Sequence, residues 1–167
     1  MARVARYWSY MSNERTKIRE AVAARLSAED TIAAKVFTNR KLALPFDTMP
    51  VIIVSSPKEQ VSRMAQAPKI YERRLTLTID ALATANDDLD DLLDSLASQI
   101  ERCLEHDDTL GRLVRSLDLN ETALAIDADG QKLAGSVRLV YEAIYHTDET
   151  QDGDFTELGG LNVRLVQ

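Results

Sequence analysis

Cys103 and His106 stand three positions apart in a segment of helical period, and side chains at that spacing are neighbours on a helix. A thiol beside an imidazole is the starting material of a cysteine nucleophile, in which the base takes the thiol proton. The rest of the sequence does not complete such a site. Cys103 falls on the apolar stripe of Leu89, Leu92, Leu93, Leu96, Ile100 and Leu104, so it reads as an inert buried thiol. No third group is placed to orient His106, and His146, the other histidine, ends a strand-like run. No serine stands in a Gly-x-Ser-x-Gly turn.

Carboxylates are the next concentration. Asp87, Asp90, Asp91 and Asp94 share helical neighbourhoods, with Asp88 beside them. A divalent cation would need ligands from a second element, and none can be assigned. The plainer reading is a solvated helix start, where the helix dipole favours negative charge. Asp127, Asp129 and Gly130 echo the opening of a calcium loop, but the later bidentate glutamate is missing, which leaves a hairpin turn. One cysteine and two histidines do not make a zinc set. None of the six glycines stands between a strand and a helix at phosphate-cradling spacing. The expectation is no catalytic residue, no metal and no cofactor, and a function of binding or assembly.

These residues need elements to hold them. Residues 12–28 read as a helix with Ser12 as N-cap, Glu14 in the first turn, and Ile18, Val22 and Leu26 on one stripe. Arg15, Arg19 and Arg25 lie off that stripe and are expected to form a basic outer face. Residues 35–40 and 50–55 read as strands. Residues 56–69, with Pro57 and Pro68, read as a loop with one helical turn near Val61 and Met64. Residues 70–84 alternate with period two: Tyr71, Arg73, Leu75, Leu77, Ile79 and Ala81 on one side, Glu72, Arg74, Thr76, Thr78 and Asp80 on the other. That Thr-rich side is either wet or an interface.

Residues 87–105 carry the strongest helical period, capped by Asn86 or Asp87. Residues 109–115 read as a turn with a short helix. Residues 116–127 and 133–146 read as strands joined through a turn at 127–130, the second central in its sheet because both its sides carry apolar groups. Residues 147–154 form an acidic loop, and a tail from Phe155 has the pattern of one more short strand. The order α, β, β, β, α, β, β implies an α+β fold: a mixed, mostly antiparallel sheet of about five strands against two main helices. Residues 1–11 read as an arm before a single domain over 12–167. Its Tyr7, Trp8, Tyr10 and Met11 pack either on their own domain or as an interface anchor.

The 167 residues are 45% hydrophobic and 28% charged, as expected of a single domain with a real core. No apolar run approaches the roughly 20 residues of a membrane span, and the start of the chain lacks the apolar stretch of a signal peptide, so the default compartment is cytoplasmic. The formal charge of −7 argues against gripping nucleic acid. That total hides an asymmetry. Residues 1–45 hold nine basic and four acidic side chains, whereas residues 81–110 hold one basic and nine acidic. The signs either interleave on folding or let copies of the chain attract one another.

Five segments, taken in order, resemble the minor tail protein U family of tailed bacteriophages, the tail terminators. They are RTKIREAVAARL at 15–26, PVIIV at 50–54 with Glu59 following, and YERRLTLTIDALATA at 71–85 leading into LDDLLDSLASQIERCL at 89–104. DDTLGRLVRSLDLNET at 107–122 and VRLVYEAIYHT at 137–147 complete the set. The arm at 1–11 and the tail after Phe155 depart from the family pattern. The resemblance implies a subunit of a hexameric ring, a homo-oligomer that sits on the last ring of the tail-tube protein. Such a ring ends tube polymerisation and offers a surface to a head-connector protein.

It implies binding rather than catalysis, and a place in the virion tail after assembly in the host cytoplasm. DNA would pass through without specific binding, and no membrane is involved. On this reading the expected subunit contacts are Arg15, Arg19, Arg25, Tyr7, Trp8, Thr76 and Thr78. The expected lumenal or axial acids are Asp87, Asp88, Asp90, Asp91, Asp148, Glu149, Asp152 and Asp154. Two rival readings are another virion connector, such as a tail-completion or head–tail joining protein, and a small cytoplasmic α+β ligand-binding domain or enzyme.

Overall fold

A run of alanines with Leu26 and Ile18 favours helix over Glu14–Ala28, and the chain forms α1 there. In this computed structural model, which describes residues 13–38, 49–85, 87–127 and 133–148, α1 is followed by β1 (Lys35–Phe37), β2 (Val51–Gln66), β3 (Lys69–Ala85), α2 (Leu89–Glu105), β4 (Ser116–Asp127) and β5 (Leu133–Asp148). The five strands make one sheet in the order β1-β2-β3-β5-β4. β1 is parallel to β2 and every other pairing is antiparallel. The α+β architecture expected from the sequence is therefore present. The expected arm at 1–11, Ser12, the loop at 39–48, the hairpin turn at 128–132 and everything after Asp148 lie outside the described residues.

Period two decides which side of the sheet is covered. Leu75, Leu77, Ile79, Ala81 and Ala83 of β3 lie beside Val137, Leu139, Tyr141, Ala143 and Tyr145 of β5, and all are buried. The helices lie on this face. Ile18, Val22 and Leu26 of α1 join Leu89, Leu93, Leu96, Ile100 and Leu104 of α2 in the same core. Each such side chain contributes roughly 1.5–3 kcal/mol through burial. β5 is central, as its two-sided apolar pattern suggested. Gly135 lets α2 approach it closely: a Cβ there would stand 3.0 Å from Leu93 Cδ1 and 3.1 Å from Leu89 Cδ2.

Four readings need correction. Residues 56–66 are not a loop with a helical turn. β2 runs unbroken to Gln66, with register shifts between Ser55 and Lys58 and between Arg63 and Ala65. Pro57 is tolerated because β1 pairs only with Val51–Ile53, so beyond them β2 is an edge strand among the described residues. Residues 109–115 form turns and no helix. Leu110, Gly111 and Arg112 all have positive φ, at 49°, 69° and 73°. The helix α2 starts at Leu89, with Asp88 as N-cap in the left-handed region and no side-chain cap bond. Asn13, not Ser12, caps α1, its side chain accepting from the Arg15 amide at 3.2 Å.

Candidate functional site

The three arginines of α1 do not form an outer face. Arg15 Nη2 donates to the Ser56 carbonyl at 2.8 Å, and Arg19 Nη1 donates to Ser56 Oγ at 3.3 Å. Both reach sideways from α1 to the irregular stretch of β2. Their stems are long enough to cross from the helix flank to the sheet, which a stripe count on the helix alone does not register. The Nε atoms of both are buried and have no hydrogen-bond partner among the described residues. Beside Arg19 lies an open groove of about 450 Å³, walled also by Ser55, Ser56, Pro57 and Thr78. Arg25 turns the other way. It donates to the Cys103 carbonyl at 3.1 Å and pairs with Asp107 at 3.1 Å, clamping α1 to the end of α2. A cation beside the last carbonyls of a helix is favourable there.

Asp107 organises the turn that follows. Its carboxylate accepts from Thr109 Oγ1 at 2.6 Å, the Thr109 amide at 3.1 Å and the Gly111 amide at 2.8 Å. The Thr109 hydroxyl first, then these amides and the Arg25 guanidinium, hold its pKa below the usual aspartate value. The three left-handed residues sit inside this cradle.

Cys103 is buried, and loss of solvation pushes its thiol pKa up, with Glu29 adding to the shift and Arg25 opposing it. Its Sγ approaches the Arg25 carbonyl at 3.8 Å. Both features favour the protonated, unreactive thiol. Among the described residues, no group of three or more His, Cys, Asp or Glu side chains is arranged to hold a metal ion, and no helix is long and apolar enough to cross a membrane.

The expected acids are not brought together. Asp87, Asp88, Asp90 and Asp91 are exposed where α2 begins, beside the end of β3. Asp148 ends β5 at the opposite end of the sheet, opposite Ile70 of β3. Glu149, Asp152, Asp154, Tyr7 and Trp8 lie outside the described residues.

Thr76 and Thr78 lie on the sheet face that no described helix covers. Thr78 is 9% exposed. Around them runs a lattice of ion pairs: Arg138 with Asp80 at 2.6 Å, and Arg74 with Glu72 at 3.0 Å and Glu142 at 3.4 Å. His146 stands 3.8 Å from Glu72. Each exposed pair contributes about 1 kcal/mol or less, so this face is held mainly by its strands.

On the covered face, residue patterning missed a polar cluster. Tyr145 donates its hydroxyl to Glu59 Oε1, Glu59 Oε2 accepts from Arg73 at 3.0 Å, and Arg73 Nε donates to Thr147 at 2.9 Å. The clue in the sequence is Arg73, a charge in line with Leu75 and Leu77. A charge on a buried face needs a partner, and Glu59 on the neighbouring strand supplies it.

Two apolar surfaces remain uncovered. On β4, Leu119, Leu124 and Ile126 are 39%, 44% and 46% exposed. They point to the helix side, opposite Tyr141, Val137 and Gly135, but α2 lies chiefly over β3 and β5. On the far stretch of β2, Val61 and Met64 are 50% and 59% exposed. Among the described residues, β4 and the part of β2 beyond Ile53 have no strand paired along their outer edges, and the two edges lie on opposite sides of the sheet.

No family model matches the chain, and no curated protein does. Among solved structures, a chain described as the virion of a native gene transfer agent particle is similar, at 10% identity and a TM-score of 0.41. The match covers 77% of this chain and 95% of that one.

Proposed function

We propose that the chain is a structural subunit of a phage-type virion and, more narrowly, a tail terminator. It would close into a hexameric ring on the last ring of the tail tube, stop tube growth and present a surface to the head connector. The work is binding, with no catalytic step. The observation that carries this reading is a pair of edges, β4 and the far part of β2, that no described strand covers, on opposite sides of one sheet. Two different surfaces facing away from each other are what head-to-tail closure requires, whereas a two-fold dimer uses one surface twice. The ordered resemblance of five segments to tail terminators supplies the biological setting.

In a ring whose axis follows the strands, Asp87–Asp91 and Asp148 would belong to opposite axial faces. DNA would pass an acidic entrance without being held. The α1 arginines would then serve the contact from the flank of β2. Light scattering coupled to gel filtration tests the reading. Six chains of 18.6 kDa make about 110 kDa. The expected result is that mass, either free or on purified tail-tube rings. A chain that stays at 18.6 kDa in both conditions removes the ring. A ring that binds a head-side connector and ignores the tube moves the assignment to a connector.

A further inference from the structure

Each helix covers about two strands: α1 lies by β1 and β2, and α2 lies over β3 and β5. Helices pack roughly 10 Å apart, which is about two strand spacings. Among the described residues this leaves a third slot, over β4. Its floor is the exposed strip of Leu119, Leu124 and Ile126. Its wall is one flank of α2. Gln99, Arg102 and Cys103 face α1 across a groove. At about 3.6 residues per turn, the opposite flank, toward β4, carries Asp90, Asp94 and Glu101. Burial first and Glu101 second raise the phenol pKa of Tyr141, which lies opposite Leu119, so Glu101 stands on this side. None of the three acids makes an ion pair among the described residues. An apolar floor beside an acidic wall suits an amphipathic helix with a basic flank.

The sequence holds such a segment. Val4, Tyr7, Trp8 and Met11 recur at i, i+3, i+4 and i+7, and Arg3 and Arg6 share one flank of that pattern. Ser12 joins it to Asn13, the cap of α1. The start of α1 lies beside β2, where Arg15 and Arg19 reach Ser56. From there the slot of the same copy is three strand spacings away, roughly 14 Å, with α2 between, whereas one residue spans at most about 3.6 Å. A copy therefore cannot fill its own slot with this segment. The next copy can, because a ring sets its β2 margin beside β4. The strand registers make Ser56 level with the stretch from Asp118 to Glu121, at the Leu119 end of the floor. Rotation about an axis along the strands keeps that level. The segment would then run from the Ile126 end down to α1. α2 also begins at the Ile126 end, where Leu89 and Leu93 meet Gly135. Two helices side by side in the same direction, both with apolar faces on the sheet, turn Arg3 and Arg6 toward the acidic flank of α2.

We infer that residues 4–11 of one copy dock as a helix in the slot over β4 of the next. Val4, Tyr7, Trp8 and Met11 lie on Leu119, Leu124 and Ile126, and Arg3 and Arg6 meet Asp90, Asp94 and Glu101. The occupant of the slot is a second copy of this chain. The inference rests on the ring reading and goes beyond it by naming the segment that crosses each joint.

Trp8 is the only tryptophan, so its emission reports on this segment directly. Emission should be that of a solvated indole in dilute single chains and shift to the blue as rings form, with the same midpoint as the mass from light scattering. Asp94→Lys with Glu101→Lys reverses the wall beyond the first turn of α2, and Arg3→Glu with Arg6→Glu reverses the segment. Each pair should weaken assembly roughly tenfold or more, read as the concentration at which half the chains are in rings. All four changes in one chain should regain it, because opposite charges then meet again. Rings in which Trp8 stays solvated overturn the joint and leave the ring reading standing. So does a Trp8 already buried in single chains and unchanged on assembly, or a wall reversal that assembles as well as the unaltered chain. A shift that appears only when tail-tube rings are added to preformed rings places the segment on the tube and also overturns the joint. If the unaltered chain forms no ring at any concentration, alone or on the tail tube, both readings fall.

Discussion

β4 and β5 are consecutive, antiparallel and similar in length, yet their apolar side chains meet opposite surroundings. On β5, Val137, Leu139, Tyr141, Ala143 and Tyr145 are buried beneath the helices. On β4, Leu119, Leu124 and Ile126 point from the same face and remain open to solvent. The pattern of residues is alike; the position in the sheet is not. A central strand is covered because both neighbours and a helix crowd it. An outer strand is covered only if something else arrives. The difference teaches that apolar alternation reports which way side chains point, while strand order decides whether the chain itself can cover them.

The largest expected effect separates the two strands' surroundings. Leu93→Ala removes a fully buried side chain of α2 and should cost about 2–5 kcal/mol of unfolding free energy. Leu124→Ala should stay within about 0.5 kcal/mol in the isolated chain, measured by urea unfolding at low concentration. In the proposed ring, which uses the outer edge of β4, it should weaken assembly all the same. A Leu124→Ala loss of several kcal/mol in the monomer would mean that β4 is already covered, and the contrast would collapse.

A smaller contrast lies within β5. Tyr145 and Tyr141 are both buried, and burial raises both phenol pKa values above the ordinary one. The Tyr145 hydroxyl meets Glu59, whereas the Tyr141 hydroxyl is buried with no partner among the described residues. Removing one half of a satisfied pair costs more than removing a group that was never satisfied. Tyr145→Phe should therefore lose about 1–1.5 kcal/mol, and Tyr141→Phe should be neutral or gain up to about 1 kcal/mol. Equal losses from thermal or denaturant melts would show that the Tyr141 hydroxyl is satisfied after all.

Much of this was legible before any coordinates. The stripe Leu89, Leu93, Leu96, Ile100 and Leu104 marked α2, and the alternation from Tyr71 to Ala81 marked β3 and its buried side. Those signals survive because one long period fixes them. The far half of β2 was illegible. Pro57 and Pro68 read as loop, and Val61 stands among polar neighbours because no helix covers it. A proline costs an edge strand little when its missing amide would face outward, and the sequence does not say which strand is an edge. Helical period alone sets the arginines of α1 on an outer face and ignores how far a guanidinium reaches toward another element. The left-handed turn at 110–112 left only Gly111 as a trace, since Leu110 and Arg112 are held there by the surroundings rather than by preference.

That turn yields the next prediction. Arg112 adopts φ 73°, a region that disfavours any residue with a Cβ. Arg112→Gly should stabilise the chain by roughly 0.5–1 kcal/mol, because the relief of strain exceeds the added freedom of the unfolded chain. Gly111→Ala, at φ 69° with open space around it, should destabilise by about 1 kcal/mol for conformational reasons alone. If both changes were silent in a melt, the turn would not be held in this form in solution.

The smallest effect concerns what holds the turn. The folded state lowers the Asp107 pKa, chiefly through the Thr109 hydroxyl and the Gly111 amide. A depressed folded pKa means that the unfolded chain takes up the proton first as the pH falls. The stabilisation from Asp107 is therefore complete above the ordinary aspartate value, about 4, and is lost as the pH drops through the lower folded value. Asp107→Asn should flatten the acid limb of the stability curve below about pH 4, with little change in its shape at neutral pH. An acid limb unaltered by Asp107→Asn would show that the contacts of Asp107 with Thr109 and Gly111 do not form in solution.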